Sequence, residues 1–338
     1  MGGHLIASAL VCMLPVLTFL AALRFLDSYK LVRMRDLLAV ILAGVAMAVL
    51  GYAINAALQH ATALDFETFT RYVGPVGEEV LKGAVVVALI RMRRIGFLVD
   101  AAIFGFATGA GFAVIENLFY LDLVPGASFG TWVVRGFGTA LMHGGATALF
   151  AVASLALLEQ RRRRWPILSL APGLALAVVL HSAYNHMFLS PKAATLAVMI
   201  VLPVVFYLVF RRSERALGKW LGQGFDADAR MLELLDSGRF GDSPTGRYLQ
   251  TMKRRFSGPV VADALCYLRV HTELALRAKG ILMMRESGFD VPVDEETRGK
   301  LTEMRFLERS IGKTGLRALR PVLHTTAKDE WQLGLLSD

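Results

Sequence analysis

Seven apolar stretches punctuate the first two thirds of the chain, near residues 4–26, 37–59, 71–90, 97–121, 132–158, 166–188 and 193–210. Each approaches the roughly 20 residues that a helix needs to cross the hydrocarbon of a bilayer. The pattern changes after residue 210. Segments such as 261–279 and 301–311 mix apolar and charged residues at helical spacing, and Asp242-Ser243-Pro244 and Ser257-Gly258-Pro259 stand between helices as punctuation. The pattern predicts an all-α chain: a polytopic membrane helix bundle of about seven spans over 1–210, then a soluble helical domain over 211–338. No Lys or Arg precedes the first apolar stretch, and it exceeds the usual core of a signal peptide, about 7–15 residues, so it reads as a span.

Composition agrees with that division. Of 338 residues 55% are hydrophobic and only 19% charged, with a mean hydropathy of +0.50. A soluble globule carries about 25% charged residues, and a disordered chain has far less apolar content, so both classes fail for the whole chain. The net charge of +9 is spread out: 15 Lys/Arg against 10 Asp/Glu up to residue 210, and 22 against 18 beyond it. Basic clusters follow the odd-numbered stretches: Arg24 to Arg35, Arg91 to Arg94, Arg161 through Arg164, and Arg211 to Lys219. The other connections hold little beyond Arg71 and Lys192. By the positive-inside rule the N-terminus is outside and the 211–338 region cytoplasmic, in the cytoplasmic (inner) membrane of a cell. Basic residues dispersed this way give no patch for nucleic acid, so the expected surroundings are the lipid bilayer and protein partners. Cys12 and Cys266 fall in different phases, and no disulfide framework or CxxC motif follows. Thr245-Gly246 and Gly312-Lys313-Thr314-Gly315 lack the full GxxxxGK[ST] pattern and read as surface turns.

The informative residues are ionisable groups inside the spans, where a charge at mid-bilayer costs about 2.5–3.5 kcal/mol on insertion scales. The third span carries Glu78, Glu79 and Lys82, the fourth Glu116 and Asn117, the fifth His143, and the sixth His181, Asn185 and His186. Counted from the outer ends of their spans at about 1.5 Å per residue, Glu79, His143 and His181 lie about 12–13 Å deep and Glu116 about 8 Å deep. One layer in the outer half of the membrane therefore collects groups from four helices, and a shared polar site is expected. Lys82 stands i,i+4 from Glu78 and i,i+3 from Glu79, in reach to neutralise one carboxylate. Asp100 and Asp122 lie near span ends and read as structural, while His186 points elsewhere on its helix.

Carboxylates, imidazoles and an amide are the parts for hydrolysing an amide bond. A buried glutamate can take a proton from water, a histidine can protonate the leaving nitrogen, and N–H donors can hold the developing oxyanion. The same side chains are ordinary zinc ligands. Three motifs carry a resemblance. Glu78-Glu79-Val80-Leu81-Lys82 is EExxK, Phe112 through Glu116 reads FxxxE, and His181 through Asn185 reads HxxxN. Together, over roughly residues 70–190, the chain resembles the PrsW-type intramembrane proteases, relatives of the type II CAAX prenyl endopeptidases and of the γ-secretase scaffold subunit.

The resemblance implies an intramembrane endopeptidase that cuts a membrane-anchored protein near the extracytoplasmic face. Glu78 and Glu79 would supply the water-activating carboxylate, with Lys82 as structural partner. Glu116 stands where the prenyl endopeptidases use histidine, and His181 and Asn185 match their oxyanion-binding pair. EExxK is one residue shorter than the EExxxR of those enzymes, which favours PrsW. Two chemistries follow from it: zinc held by Glu79, Glu116, His143 and His181, or a glutamic-type reaction with no cofactor. The implied substrate is a single-span protein resembling an anti-sigma factor, and the cytoplasmic region is expected to bind a regulatory partner. Two other classes share these features, a non-catalytic membrane scaffold and a proton- or cation-coupled transporter. The retained Glu78 and Glu79 argue against the first, and the lack of a sequence repeat argues against the second.

Overall fold

A computed structural model describes residues 2–124, 126–160, 167–323 and 327–336; Arg161 through Arg164 lie outside them. All regular structure in the described residues is helical. The chain divides into two compact units, Met1–Glu214 and Arg215–Asp338.

The first unit is built from α1 (Gly2–Leu26), α2 (Met34–Thr62), α3 (Gly74–Arg91), α4 (Leu98–Leu123), α5 (Leu141–Gln160), α6 (Ile167–Asn185) and the first part of α7 (Pro191–Asp236). Six helices among the described residues are long and apolar enough to cross a membrane: Ile6–Leu26, Met34–Thr62, Leu98–Leu123, Phe129–Glu159, Leu168–Asn185 and Pro191–Asp236. The stretch near 71–90, expected as the third of seven spans, has the length of a crossing helix but not the apolar composition. Its helix α3 has 18 residues and carries Glu78, Glu79, Lys82 and Arg91, and it turns Glu79 and Lys82 into the bundle interior. The seventh stretch also departs from expectation, since α7 continues to Asp236 instead of ending near 210. Residues 211–217 are mostly good helix formers and contain no proline, so nothing there stops the helix.

Helix α4 is the pillar of this unit. Every residue from Val99 to Ala113 is buried, because Ala101, Ala102, Gly105, Ala107, Gly109, Ala110 and Gly111 let neighbouring backbones come close on several sides. A Cβ on Gly109 would overlap the His143 carbonyl oxygen of α5, and one on Gly111 the Ile41 carbonyl oxygen of α2. These approaches set the positions of α5 and α2 beside α4. Side chains on the outside remain apolar: Leu38, Leu42 and Val49 on α2, and Ile200, Val204 and Leu208 on α7, are exposed. Such a continuous apolar exterior is unfavourable in water and favourable in lipid.

Two helical turns are wound wider than α. Phe69–Val73 is a π-turn leading into α3, and Arg135–Ala140 is a π-turn leading into α5 after the short helix Phe129–Val134. Such turns shift the register of the helix beyond them and recur at functional sites. Here they precede the helices carrying Glu78, Glu79 and Lys82, and His143. At the other end of α4, Asp100 is buried and not solvated as its place near a span end suggested. Its carboxylate accepts from the amides of Gly96 (2.8 Å), Phe97 (2.8 Å) and Ala101 (3.0 Å), which replace water at the helix start. It remains a structural residue.

The second unit contains the rest of α7, then α8 (Pro244–Met252), α9 (Gly258–Glu286), α10 (Glu295–Leu323) and α11 (Ala327–Gly334). Ser243 caps α8, its Oγ accepting the Gly246 amide at 2.9 Å, and Ser257 stands at the N-cap of α9. Leu268, Leu274 and Ile281 of α9 pack with Leu301, Leu307 and Leu319 of α10 in one core. Within it, Lys279 is held by Asp228 (2.6 Å) and lies over the Trp220 ring. Burial pushes the His271 imidazole below its usual range. At 312–315 the backbone of Gly312 (φ 70°) leaves the helical range and divides α10 into two helical pieces, with Lys313 and Thr314 exposed beside the break. Cys12 is buried, Cys266 exposed, and both are free.

Candidate active site

The polar residues of the spans meet in one continuous network. From α3, Lys82 Nζ lies 2.5 Å from Glu79 Oε1 and 3.0 Å from His143 Nδ1 of α5. The same Glu79 oxygen is 2.9 Å from His181 Nδ1 of α6. His181 Nε2 faces Glu78 Oε2 at 3.9 Å, and Glu78 Oε1 accepts from Asn55 Nδ2 of α2 at 3.2 Å. On the other side, His143 Nε2 lies 2.6 Å from Glu116 Oε2 of α4. Lys82, Glu79, His143 and His181 are at most 3% exposed. The His143 and His181 rings meet edge-on with centroids 4.6 Å apart.

Proton positions follow from what each partner can do. Lysine only donates, so His143 Nδ1 accepts from Lys82 and the ring's proton sits on Nε2, facing Glu116. Glu79 only accepts, so His181 donates from Nδ1 and its Nε2 presents a lone pair to the interior of the cluster. Three carboxylates, Glu78, Glu79 and Glu116, then share the network with two basic side chains, Lys82 and Arg135, the second lying 3.0 Å from Glu116 Oε1. One buried negative charge is left over. Buried charge of that kind calls for a proton or a cation.

Two oxygens mark where it would sit. Glu78 Oε2 and Glu116 Oε2 are buried and have no hydrogen-bond partner among the described residues, although each faces an imidazole nitrogen. At 2.6 Å the Glu116–His143 contact has the length of a hydrogen bond but not its direction. Glu78, His143 and His181 each offer one ligand atom, all within 4.8 Å of one another. The donor set, one carboxylate oxygen and two imidazole nitrogens, fits zinc chemistry.

The geometry differs from expectation at two points. Of the expected Glu79, Glu116, His143 and His181, the two histidines group with Glu78 as residues that could hold a metal ion. One oxygen of Glu79 is taken by Lys82 and His181, and it orients the His181 ring. Glu116 remains beside the group through its contact with His143. Asn185, expected to bind the oxyanion with His181, turns instead to the backbone. Its Nδ2 donates to the Thr70 carbonyl (2.9 Å), and Ser182 Oγ donates to that of Arg71 (2.6 Å). Both carbonyls belong to the π-turn before α3, and Pro75, five residues after Thr70, has no N–H to give its carbonyl. No hydrogen bond joins Asn185 to the cluster among the described residues. His186 packs on Tyr72 and Phe188, away from it.

A cleft of about 400 Å³ opens onto the cluster. Glu78 and Glu116 line it, together with Asn55 of α2 and an aromatic wall that includes Tyr52, Phe69, Phe112 and Phe119. Asn55 and Arg135 were not singled out from sequence. Asn55 did carry a signal, as a polar amide in the apolar run of α2. Arg135 lay where a span end was expected, so its charge looked solvated.

The PrsW family, described as intramembrane metalloproteases, matches residues 33–210. The chain belongs to the PrsW family. It is a hydrolase of the intramembrane protease class and a multi-pass membrane protein. The match covers α2 to α6 and the membrane part of α7, and leaves out α1 and the second unit. No curated protein and no solved structure matches the chain.

Proposed function

We propose that this PrsW-family chain hydrolyses a peptide bond of a single-span membrane protein at the Glu78–His143–His181 cluster, near the extracytoplasmic face. The observation that carries the reading is the pair of unpartnered buried carboxylate oxygens, on Glu78 and Glu116, at the base of the aromatic cleft. An extended, mostly apolar peptide segment suits such a cleft, and its carbonyl would come to the cluster between those two carboxylates.

The residues divide the work. Glu78, His143 and His181 would hold a divalent cation, zinc by the chemistry of the donors, and that ion would supply polarisation of the scissile carbonyl and the attacking water. Glu79 fixes the His181 tautomer, and Lys82 neutralises Glu79. Glu116 takes a proton from water as the water oxygen bonds to the carbonyl carbon. It returns that proton to the leaving nitrogen as the C–N bond breaks, so one carboxylate serves as base and then acid. One observation favours a carboxylate-only variant of the same reaction: the donor-only Lys82 leaves the His143 proton facing Glu116.

The flanking basic clusters support an N-out, C-in topology in the cytoplasmic membrane, with the site in the outer half. The 211–338 region is then a cytoplasmic domain with a regulatory partner. By family resemblance the substrate is an anti-sigma-factor-like protein. Purified full-length protein in liposomes, given a tagged single-span substrate, is expected to cut it, whereas His181→Ala leaves the substrate whole at an unchanged thermal midpoint. Equal cleavage by both proteins would defeat the proposal.

A further inference from the structure

Beyond the cluster, a second set of contacts ties Glu116 to a helix outside the family match. Arg135 Nη2 lies 3.0 Å from Glu116 Oε1, and its Nε donates to Asn117 Oδ1 at 2.9 Å. The guanidinium stacks on Tyr120 with its carbon 3.7 Å from the ring centroid. Asn117 is itself fixed, since its Nδ2 donates to the Cys12 carbonyl of α1 at 2.7 Å. The next residue along the chain from Arg135, Gly136, lies so close to α1 that a Cβ there would overlap the Val11 carbonyl oxygen.

The geometry points to Arg135 as a positioning residue for the site, locked through Asn117 onto α1 so that Glu116 keeps its second oxygen against His143. Three features carry this. The planar guanidinium gives Nη2 to the carboxylate and Nε to the amide in a fixed fork, a geometry that a lysine ammonium does not hold. Its side chain is only 13% exposed, so the Glu116 contact is little screened by solvent. The chain of contacts runs from Cys12 through Asn117, Arg135 and Glu116 to His143. Helix α1, which the family match does not include, thereby becomes the outer support of the catalytic carboxylate. Without Arg135, Glu116 is free to swing toward the cleft that it lines.

The kinetic consequence rests on the hydrolase reading; the geometric one does not. Two measurements on the full-length protein separate them. Ring-¹⁵N histidine spectra of zinc-free protein report the His143 environment without any need for activity, with His143→Gln identifying the signals. Arg135→Ala is expected to move the His143 ring signals as far as Glu116→Gln does, and Arg135→Lys to leave most of the shift unmade. In the cleavage assay, a misplaced reacting group costs about 100-fold, so kcat should fall by about that factor in Arg135→Ala with KM within about twofold. Arg135→Lys and Asn117→Ala, each keeping one half of the clamp, should fall about tenfold on the same scale. Unmoved His143 signals in Arg135→Ala overturn the inference whatever the activity. If Arg135→Ala does not fold, wild-type signals and kcat in both Arg135→Lys and Asn117→Ala overturn it. Moved signals in a protein whose wild type cuts no substrate would uphold the positioning role and refute the hydrolase reading instead.

Discussion

Glu78→Gln is expected to slow cleavage by about a thousandfold, within the range that a single acid–base or ligand group contributes, and to leave the protein as stable as the wild type. The substitution keeps size and an oxygen for the Asn55 amide, which now bonds Glu78 Oε1 at 3.2 Å. It removes the oxygen that faces His181 without a hydrogen-bond partner, and with it the extra negative charge of the network. Stability should hold because three carboxylates against two cations become two against two. Initial rates and thermal midpoints on the same reconstituted samples check both halves. A Glu78→Gln protein cutting at the wild-type rate would remove Glu78 from the working site.

Lys82→Met is expected to have the largest effect on folding. The ammonium is fully buried and touches Glu79 at 2.5 Å and His143 at 3.0 Å. Removing one partner of a buried pair leaves the other charge unpaired, at a cost of about 3–5 kcal/mol. The double variant Glu79→Gln/Lys82→Met removes both charges and should recover much of that loss, because the coupling between contacting residues is what the cycle measures. Reversible unfolding of the wild type, the two single variants and the double variant tests this. Additive effects of the two substitutions would mean that the pair does not act as a unit.

Much of this arrangement was legible in the sequence, for identifiable reasons. Charges inside apolar runs are so costly that Glu78, Glu79, Lys82, Glu116, His143 and His181 stood out, and helical rise alone put them in one layer. Spacing also allowed Lys82 to reach either glutamate. Which one it takes depends on the direction in which α3 leaves its π-turn, and a π-turn has no local sequence signature as clear as a cap. The same turn explains Asn185. Its HxxxN spacing puts it on the face of His181, yet the Thr70 and Arg71 carbonyls, which precede the N–H-less Pro75, claim its amide and the Ser182 hydroxyl. Asp100 shows another limit. Proximity to a span end suggested solvation, but three backbone amides do that work in a buried cap. Arg135 was hidden in the same way, a charge near a span end that turns inward to Glu116.

The most direct test of a zinc-dependent site is the metal content of purified wild-type protein that cleaves its substrate, measured by elemental mass spectrometry after removal of loosely bound ions. About one zinc per chain is predicted, the stoichiometry of a single catalytic zinc site, lost in Glu78→Gln and His143→Ala and retained in Asn185→Ala. A cleaving wild type that carries no zinc, or Glu78→Gln and His143→Ala proteins that keep theirs, would contradict it.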